Sequence, residues 1–168
     1  MTMRTLRLSR SQHLEVVEHD AERLVVVTTY EPGGSAPPAH YHPSQDEQFD
    51  ILDGTVRVDI DGRQRDLSAG DTLTVTPGQV HRMWNPATTP ARVRWATSPA
   101  LTTMEWFEGI DRLQADADAR GREQPDLLAF ARHAARHREL FRLVIGRPRQ
   151  AGDALVAVLA VVGRVLGR

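Results

Sequence analysis

Between residues 23 and 97, short β-branched and apolar runs recur at roughly ten-residue intervals, each ended by a turn signal. That rhythm restricts the chain to a β-barrel or sandwich. Residues 23–30 (RLVVVTTY) stop at Glu31-Pro32-Gly33-Gly34. Asp53-Gly54 separates runs at 48–51 and 55–60 and is expected to join them as a hairpin. Val56, Val58 and Ile60 alternate with Arg57 and Asp59, which buries one face and wets the other. Further strands are expected at 64–67, 71–76 and 92–97, with turns at Asp61-Gly62, Ser68-Ala69-Gly70 and Asn85-Pro86.

After Pro99 the apolar period lengthens to that of helices, expected over 101–119, 125–145 and 154–166. Pro125 is suited to open the second, in which Leu127, Phe130, Ala134 and Phe141 share a face. Gly146 and Pro148 close it, and Asp153 is placed to cap the third. The chain thus divides into a β part over 1–99 and a helical extension over 100–168.

Composition excludes several chemistries. There is no cysteine, so disulfides, thiolate ligands and thiol nucleophiles are absent. All 21 basic residues are arginine, which removes lysine Schiff-base catalysis. A formal net charge of -1 gives no electrostatic pull toward nucleic acid or an acidic membrane. The most hydrophobic run, 154–162, is far shorter than the ~20 residues of a membrane-spanning helix. The first ten residues alternate polar and apolar and lack the apolar core of a signal peptide, so a cytoplasmic location is expected.

One constellation carries chemistry. His40 and His42 stand two apart, so on a strand their rings share a face. Glu47 has the parity of Phe49 and Ile51, so its carboxylate points inward if they do. His81 follows a Pro77-Gly78 turn. Three imidazoles and a carboxylate suit one divalent Fe, Mn, Zn, Ni or Cu ion and leave coordination positions open. Tyr41, between the histidines, should point away, and Asn85 should cap the turn at Pro86. Phe49, Ile51, Val58 and Met83 share the inward parity of a core or an apolar pocket. His133 and His137 are spaced one helical turn apart, but no acid joins them and Arg132, Arg136 and Arg138 crowd them, so a mixed helix face is expected.

In this region the chain resembles the cupin superfamily. The family's first motif, a glycine, H-x-H, a glutamate and a closing glycine, is matched in spacing by Gly34, His40, His42, Glu47 and Gly54. Its second motif is matched by Gly70-Asp71, Gly78, His81 and Asn85, with Thr76 standing where proline is usual and Pro77 one place later. The resemblance covers about residues 20–98 and, with the helical tail, is to small single-domain bacterial metal cupins. It implies an all-β fold, a double-stranded β-helix or jelly-roll-like barrel, with the α-helical extension packed on the barrel or on a partner subunit. It also implies His40, His42, Glu47 and His81 as metal ligands. The function it implies is a metal-dependent enzyme, such as a dioxygenase or an isomerase or cyclase, acting on a small, largely apolar or aromatic molecule. The alternative is a non-catalytic module that binds or senses a small ligand through the metal. Small cupins usually pair, and Val16, Val17, Val25 and Val27 offer apolar surface for a homodimer.

Overall fold

The computed structural model describes residues 4–146 and 150–167. Eleven strands and three helices follow in chain order: β1 (Thr5–Ser9), β2 (Gln12–His19), β3 (Leu24–Tyr30), β4 (His40–Tyr41), β5 (Asp46–Asp53), β6 (Thr55–Ile60), β7 (Arg63–Ser68), β8 (Thr72–Val75), β9 (His81–Trp84), β10 (Ala91–Ser98), α1 (Thr103–Ala119), α2 (Leu127–Arg136), β11 (Arg142–Leu143) and α3 (Gln150–Val165). They form two antiparallel sheets, in the orders β1-β2-β3-β10-β5-β8 and β11-β4-β9-β6-β7. The three helices make the purely all-β class too narrow.

Alternation of apolar and polar residues sets which faces are covered. In β5, Glu47, Phe49 and Ile51 are buried while Asp46 and Gln48 are exposed. Phe49, Ile51, Leu73, Val75 and Val93 of the first sheet meet Val56, Val58, Leu67 and Met83 of the second in one apolar cluster. A second cluster joins Leu6, Leu14, Leu24 and Val26 to Trp106, Phe107 and Ile110 of α1, Ala134 of α2, and Leu140 and Phe141. Trp95 touches both clusters, so strands and helices share a continuous interior. Val25 is fully enclosed and Val16 packs against the second cluster, whereas Val17 remains exposed. Leu127 lies exposed, off the buried face that its spacing implied.

Three expectations are corrected. Asp53-Gly54 is not a hairpin, because β5 and β6 lie in different sheets. It is a corner at which Gly54 adopts φ +74°, and a Cβ there would lie 2.5 Å from the Pro90 carbonyl oxygen and 2.8 Å from Ala91 Cα. Glycine is required by that close backbone approach. The two-residue hairpin is instead Asp61-Gly62, with φ 50° and 85°, joining β6 to β7. The second helix also stops early. Asp126 caps its start by accepting from the Leu128 and Ala129 amides, but the helix ends at Arg136. Residues 142–143 then form a strand beside β4, because burying Leu140 and Phe141 against the other elements outweighs helical propensity. The third helix begins at Gln150, so Asp153 lies inside its first turn, where it pairs with Arg142 at 2.8 Å. Pro148 falls outside the described residues. Among those described, no helix is long and apolar enough to cross a membrane.

Candidate metal centre

The short strand β4 carries His40, and His42 follows it directly; His40 is the cross-strand partner of His81 on β9. Ring centroids lie 4.4 Å apart for His40–His81 and 5.3 Å for both His40–His42 and His42–His81. One nitrogen from each ring falls within 4.8 Å of the other two, so the three histidines could hold a metal ion. Glu47, fully buried on β5 of the opposite sheet, reaches two of them: Oε1 is 3.3 Å from His42 Nε2 and Oε2 is 2.8 Å from His81 Nε2.

The imidazole tautomers follow from their partners. His40 Nδ1 donates to the Pro38 carbonyl at 3.0 Å, His42 Nδ1 to Leu140 at 2.7 Å, and His81 Nδ1 to Gln79 at 3.1 Å. A carbonyl only accepts, so each Nδ1 carries a proton, and in the neutral ring each Nε2 then keeps its lone pair. Backbone carbonyls commonly orient metal-binding histidines in this way. Within the site, His42 Nε2 and Glu47 Oε2 are buried with no hydrogen-bond partner among the described residues. His81 Nε2 stands 2.8 Å from Oε2, close enough to give it a proton when that ring is charged. Two orphaned buried lone pairs facing one space are costly unless an ion or a proton serves both.

Electrostatics agree with that arrangement. Desolvation by surrounding protein, then the neighbouring His81 and His42, push His40 down to about 3, so its ring is neutral. Burial opposes charge on Glu47, but His42, His81 and His40 outweigh it and hold the carboxyl down to about 2. Burial likewise opposes protonation of His81, yet Glu47 prevails and raises it. The metal-free centre is thus a carboxylate with a nearby imidazole ready to carry the proton that a cation would displace.

Sequence reasoning missed several neighbours. Trp95 Nε1 donates to Glu47 Oε1 at 3.1 Å, and its parity with Val93 and Thr97 on β10 was the available signal. Phe141 stacks on His40 at 4.7 Å, hidden because 141 was assigned to a helix face. Gln45 Nε2 ties the His42–Glu47 connection to the carbonyls of Pro99 and Ala100 and to Thr103 Oγ1. Asn85 is structural, as expected: its side chain donates to the carbonyls of Tyr30 and Thr89 and accepts from the Ala87 amide. The unusual Thr76 is accommodated by Gln79, whose Oε1 accepts from both the Thr76 amide and its hydroxyl. His133 stacks on Trp106 and donates to its carbonyl, while His137 bonds Thr102, so both are committed to the α1–α2 contact.

The three histidines open on a cavity of about 200 Å³, walled largely by aromatic rings including Tyr30, Phe49, Trp95, Trp106, Phe107 and Phe141. Burial and the charge of Glu47 push the Tyr30 phenol well above its usual range, so it keeps its proton.

Comparison with known proteins agrees with the geometry. Residues 26–97 match the family described as "Cupin domain". The tetracenomycin polyketide synthase protein TcmJ of Streptomyces glaucescens is 36% identical over 66 residues, covering 39% of this chain and 44% of TcmJ. An oxidoreductase of Arthrobotrys oligospora is 37% identical over 59 residues, covering 34% of this chain and 23% of its own. The chain therefore spans less than half the length of these curated relatives. Among solved structures, an RmlC-like cupin from Shewanella frigidimarina superposes with TM-score 0.54 at 20% identity, covering 61% of this chain and 88% of its own. A sugar phosphate isomerase of the cupin superfamily from Silicibacter pomeroyi gives 0.53 at 17%, covering 58% and 71%. At these identities the structures share the fold alone. With both motifs in register, the histidines gathered and the fold matched, residues 26–97 carry a cupin domain.

Proposed function

We propose that this protein is a metal-dependent cupin enzyme in which His40, His42, Glu47 and His81 hold one divalent transition metal. Its substrate is a small, largely apolar or aromatic molecule. The observation that carries this reading is that all three Nδ1 atoms lie against backbone carbonyls, which leaves the three Nε2 atoms and a buried carboxylate for an ion beside one aromatic cavity. Mn, Fe, Ni, Zn and Cu all accept such a nitrogen-rich set. In this reading residues 1–99 close as a double-stranded β-helix barrel, residues 100–168 roof it, and the protein acts in the cytoplasm as a homodimer without nucleic acid or membrane.

A bound ion would act as a Lewis acid on a substrate oxygen or bring oxygen and substrate together. The chain's own groups prepare that chemistry. The Nδ1 hydrogen bonds raise the basicity of each imidazole and fix its plane. Glu47 supplies a single negative charge, so a divalent ion held by these four groups retains net positive charge, which suits an enolate or phenolate oxygen. The aromatic walls exclude water and stack on a planar substrate. A cavity of about 150 Å³ accommodates benzene, so one of about 200 Å³ favours one or two fused rings. The reaction is oxygenation, or metal-assisted isomerisation or cyclisation.

One observation favours a second reading, a non-catalytic binder. Beyond the proposed ligands, Tyr30 is the one titratable group on the cavity wall among the described residues, and it holds its proton. The protein, loaded with each metal in turn, should be screened against aromatic diols, diketones and flavonoid-like compounds by oxygen uptake and mass spectrometry. Oxygen consumption identifies an oxygenase, and a product without it identifies an isomerase or cyclase. Tight binding without turnover for every metal would replace the enzyme with the binder.

A further inference from the structure

The three histidines are not held alike. His40 and His81 each donate to a carbonyl two residues earlier in their own strand region, Pro38 and Gln79. His42 donates instead to Leu140, 98 residues away and beyond both cupin motifs, in the shortest of the three bonds at 2.7 Å. The cupin domain alone therefore does not orient one of its own histidines.

The segment that supplies this carbonyl is built to stay in place. The chain leaves α2 in a turn whose His137 carbonyl accepts from the Leu140 and Phe141 amides at 2.8 and 2.9 Å. Leu140 and Phe141 are then buried, and Phe141 lies between His40 at 4.7 Å and Trp106 at 4.6 Å. Next, β11 pairs with β4, placing Leu143 opposite His40, and the Val144 amide donates to Ala39 at 2.8 Å. The first turn of α3 closes over the back of this segment. A Cβ on Gly152 would lie 2.0 Å from the Leu143 carbonyl oxygen and 2.9 Å from its carbon, both backbone atoms that cannot rotate aside. Arg142 and Asp153 add an ion pair beside it.

We propose that residues 137–144 form a strap, clamped by the start of α3, whose Leu140 carbonyl is the positioning group for His42. The proposal rests on the metal-centre reading only for its consequence in affinity. The tautomer it predicts belongs to the metal-free protein. The helical extension is then part of the centre, and contacts near residue 152 set how firmly His42 is held.

Three variants of the full chain separate this from general stability. Gly152→Ala pushes α3 against the strap, and Val144→Pro removes the amide that ties the strap to Ala39. Gly163→Ala, at the other end of α3, meets Leu128 and Arg132 at 3.1–3.3 Å and does not touch the strap. Histidine NMR of the metal-free protein reads the His42 Nδ1–H directly, and Mn(II) titration reads affinity. In wild type and Gly163→Ala, His42 should show one Nδ1–H tautomer. In Gly152→Ala and Val144→Pro it should exchange between tautomers, with Mn(II) binding weakened roughly 10–100-fold, the usual effect of losing a ligand's hydrogen-bond partner. An unaltered His42 signal in both strap variants overturns the inference, as does equal loss in all three variants in step with their melting temperatures. If wild type shows the locked tautomer, the strap variants lose it and no protein binds Mn(II), the strap stands and the metal reading takes the failure.

Discussion

Replacing Trp95 by Phe should weaken metal binding through Glu47 while leaving every proposed ligand intact. Among the described residues, the indole Nε1–H is the donor aligned on this fully buried carboxylate. A hydrogen bond to a charged group is worth ~1.5–3 kcal/mol. Because the bond already exists in the metal-free protein, only part of that energy passes into affinity, and loss of a ligand's outer hydrogen-bond partner typically costs roughly 10–100-fold. The ring also packs on Phe49 and Phe107, so the smaller phenyl costs stability as well. About 2 kcal/mol would lower Tm by ~4–8 °C at this chain length. Phe107→Leu separates the two effects, because it removes the same packing without touching Glu47. Competition against a chromophoric chelator gives the metal Kd, and circular dichroism of the metal-free proteins gives Tm. The account requires W95F to lose affinity by ten-fold or more and F107L to lose only stability. Equal affinity in W95F and wild type would show that the indole does not hold the carboxylate.

Metal affinity should also rise with pH up to and beyond His81's ordinary 6.5, because that imidazole, raised despite burial by Glu47, must lose a proton before it can bind; a flat profile contradicts this. The folded metal-free protein should lose stability as acid carries the solution from pH 4.5 toward about 2, where Glu47, depressed on folding, finally protonates. Gly54→Ala should destabilise by at least ~2 kcal/mol, since the positive φ costs ~1–2 kcal/mol and the Pro90 backbone must move as well; a Tm within a degree of wild type would refute the corner. Light scattering at micromolar concentration should return a dimer mass, with exposed Val17 and the outer valines of α3 covered; a clean monomer removes that proposal.

Local signals made part of this molecule legible. The inward parity of Glu47, Phe49 and Ile51 was readable because side-chain alternation in a strand depends on no distant contact. The H-x-H spacing put His40 and His42 on one face for the same reason, whereas His81 was joined to them by the resemblance of its motif. What stayed hidden is non-local. Asp53-Gly54 carries the chemistry of a hairpin turn, and only the packing of Pro90 and Ala91 against it makes it a corner between sheets. Residues 137–145 have helical spacing, and the loss of that helix is caused by a groove beside His40 that accepts Phe141 and Leu140. The bond from His42 to Leu140 spans 98 positions, beyond what any local pattern reports.

The most direct test of the central claim is metal content. Protein purified without chelators and then offered Mn, Fe, Ni, Zn and Cu separately should take up one ion per chain of at least one of them. His40→Ala, His42→Ala and His81→Ala should each sharply reduce that uptake, and Glu47→Gln should reduce it less, since it keeps the shape and loses only the charge. Wild-type protein that binds none of the five metals stoichiometrically would contradict the account.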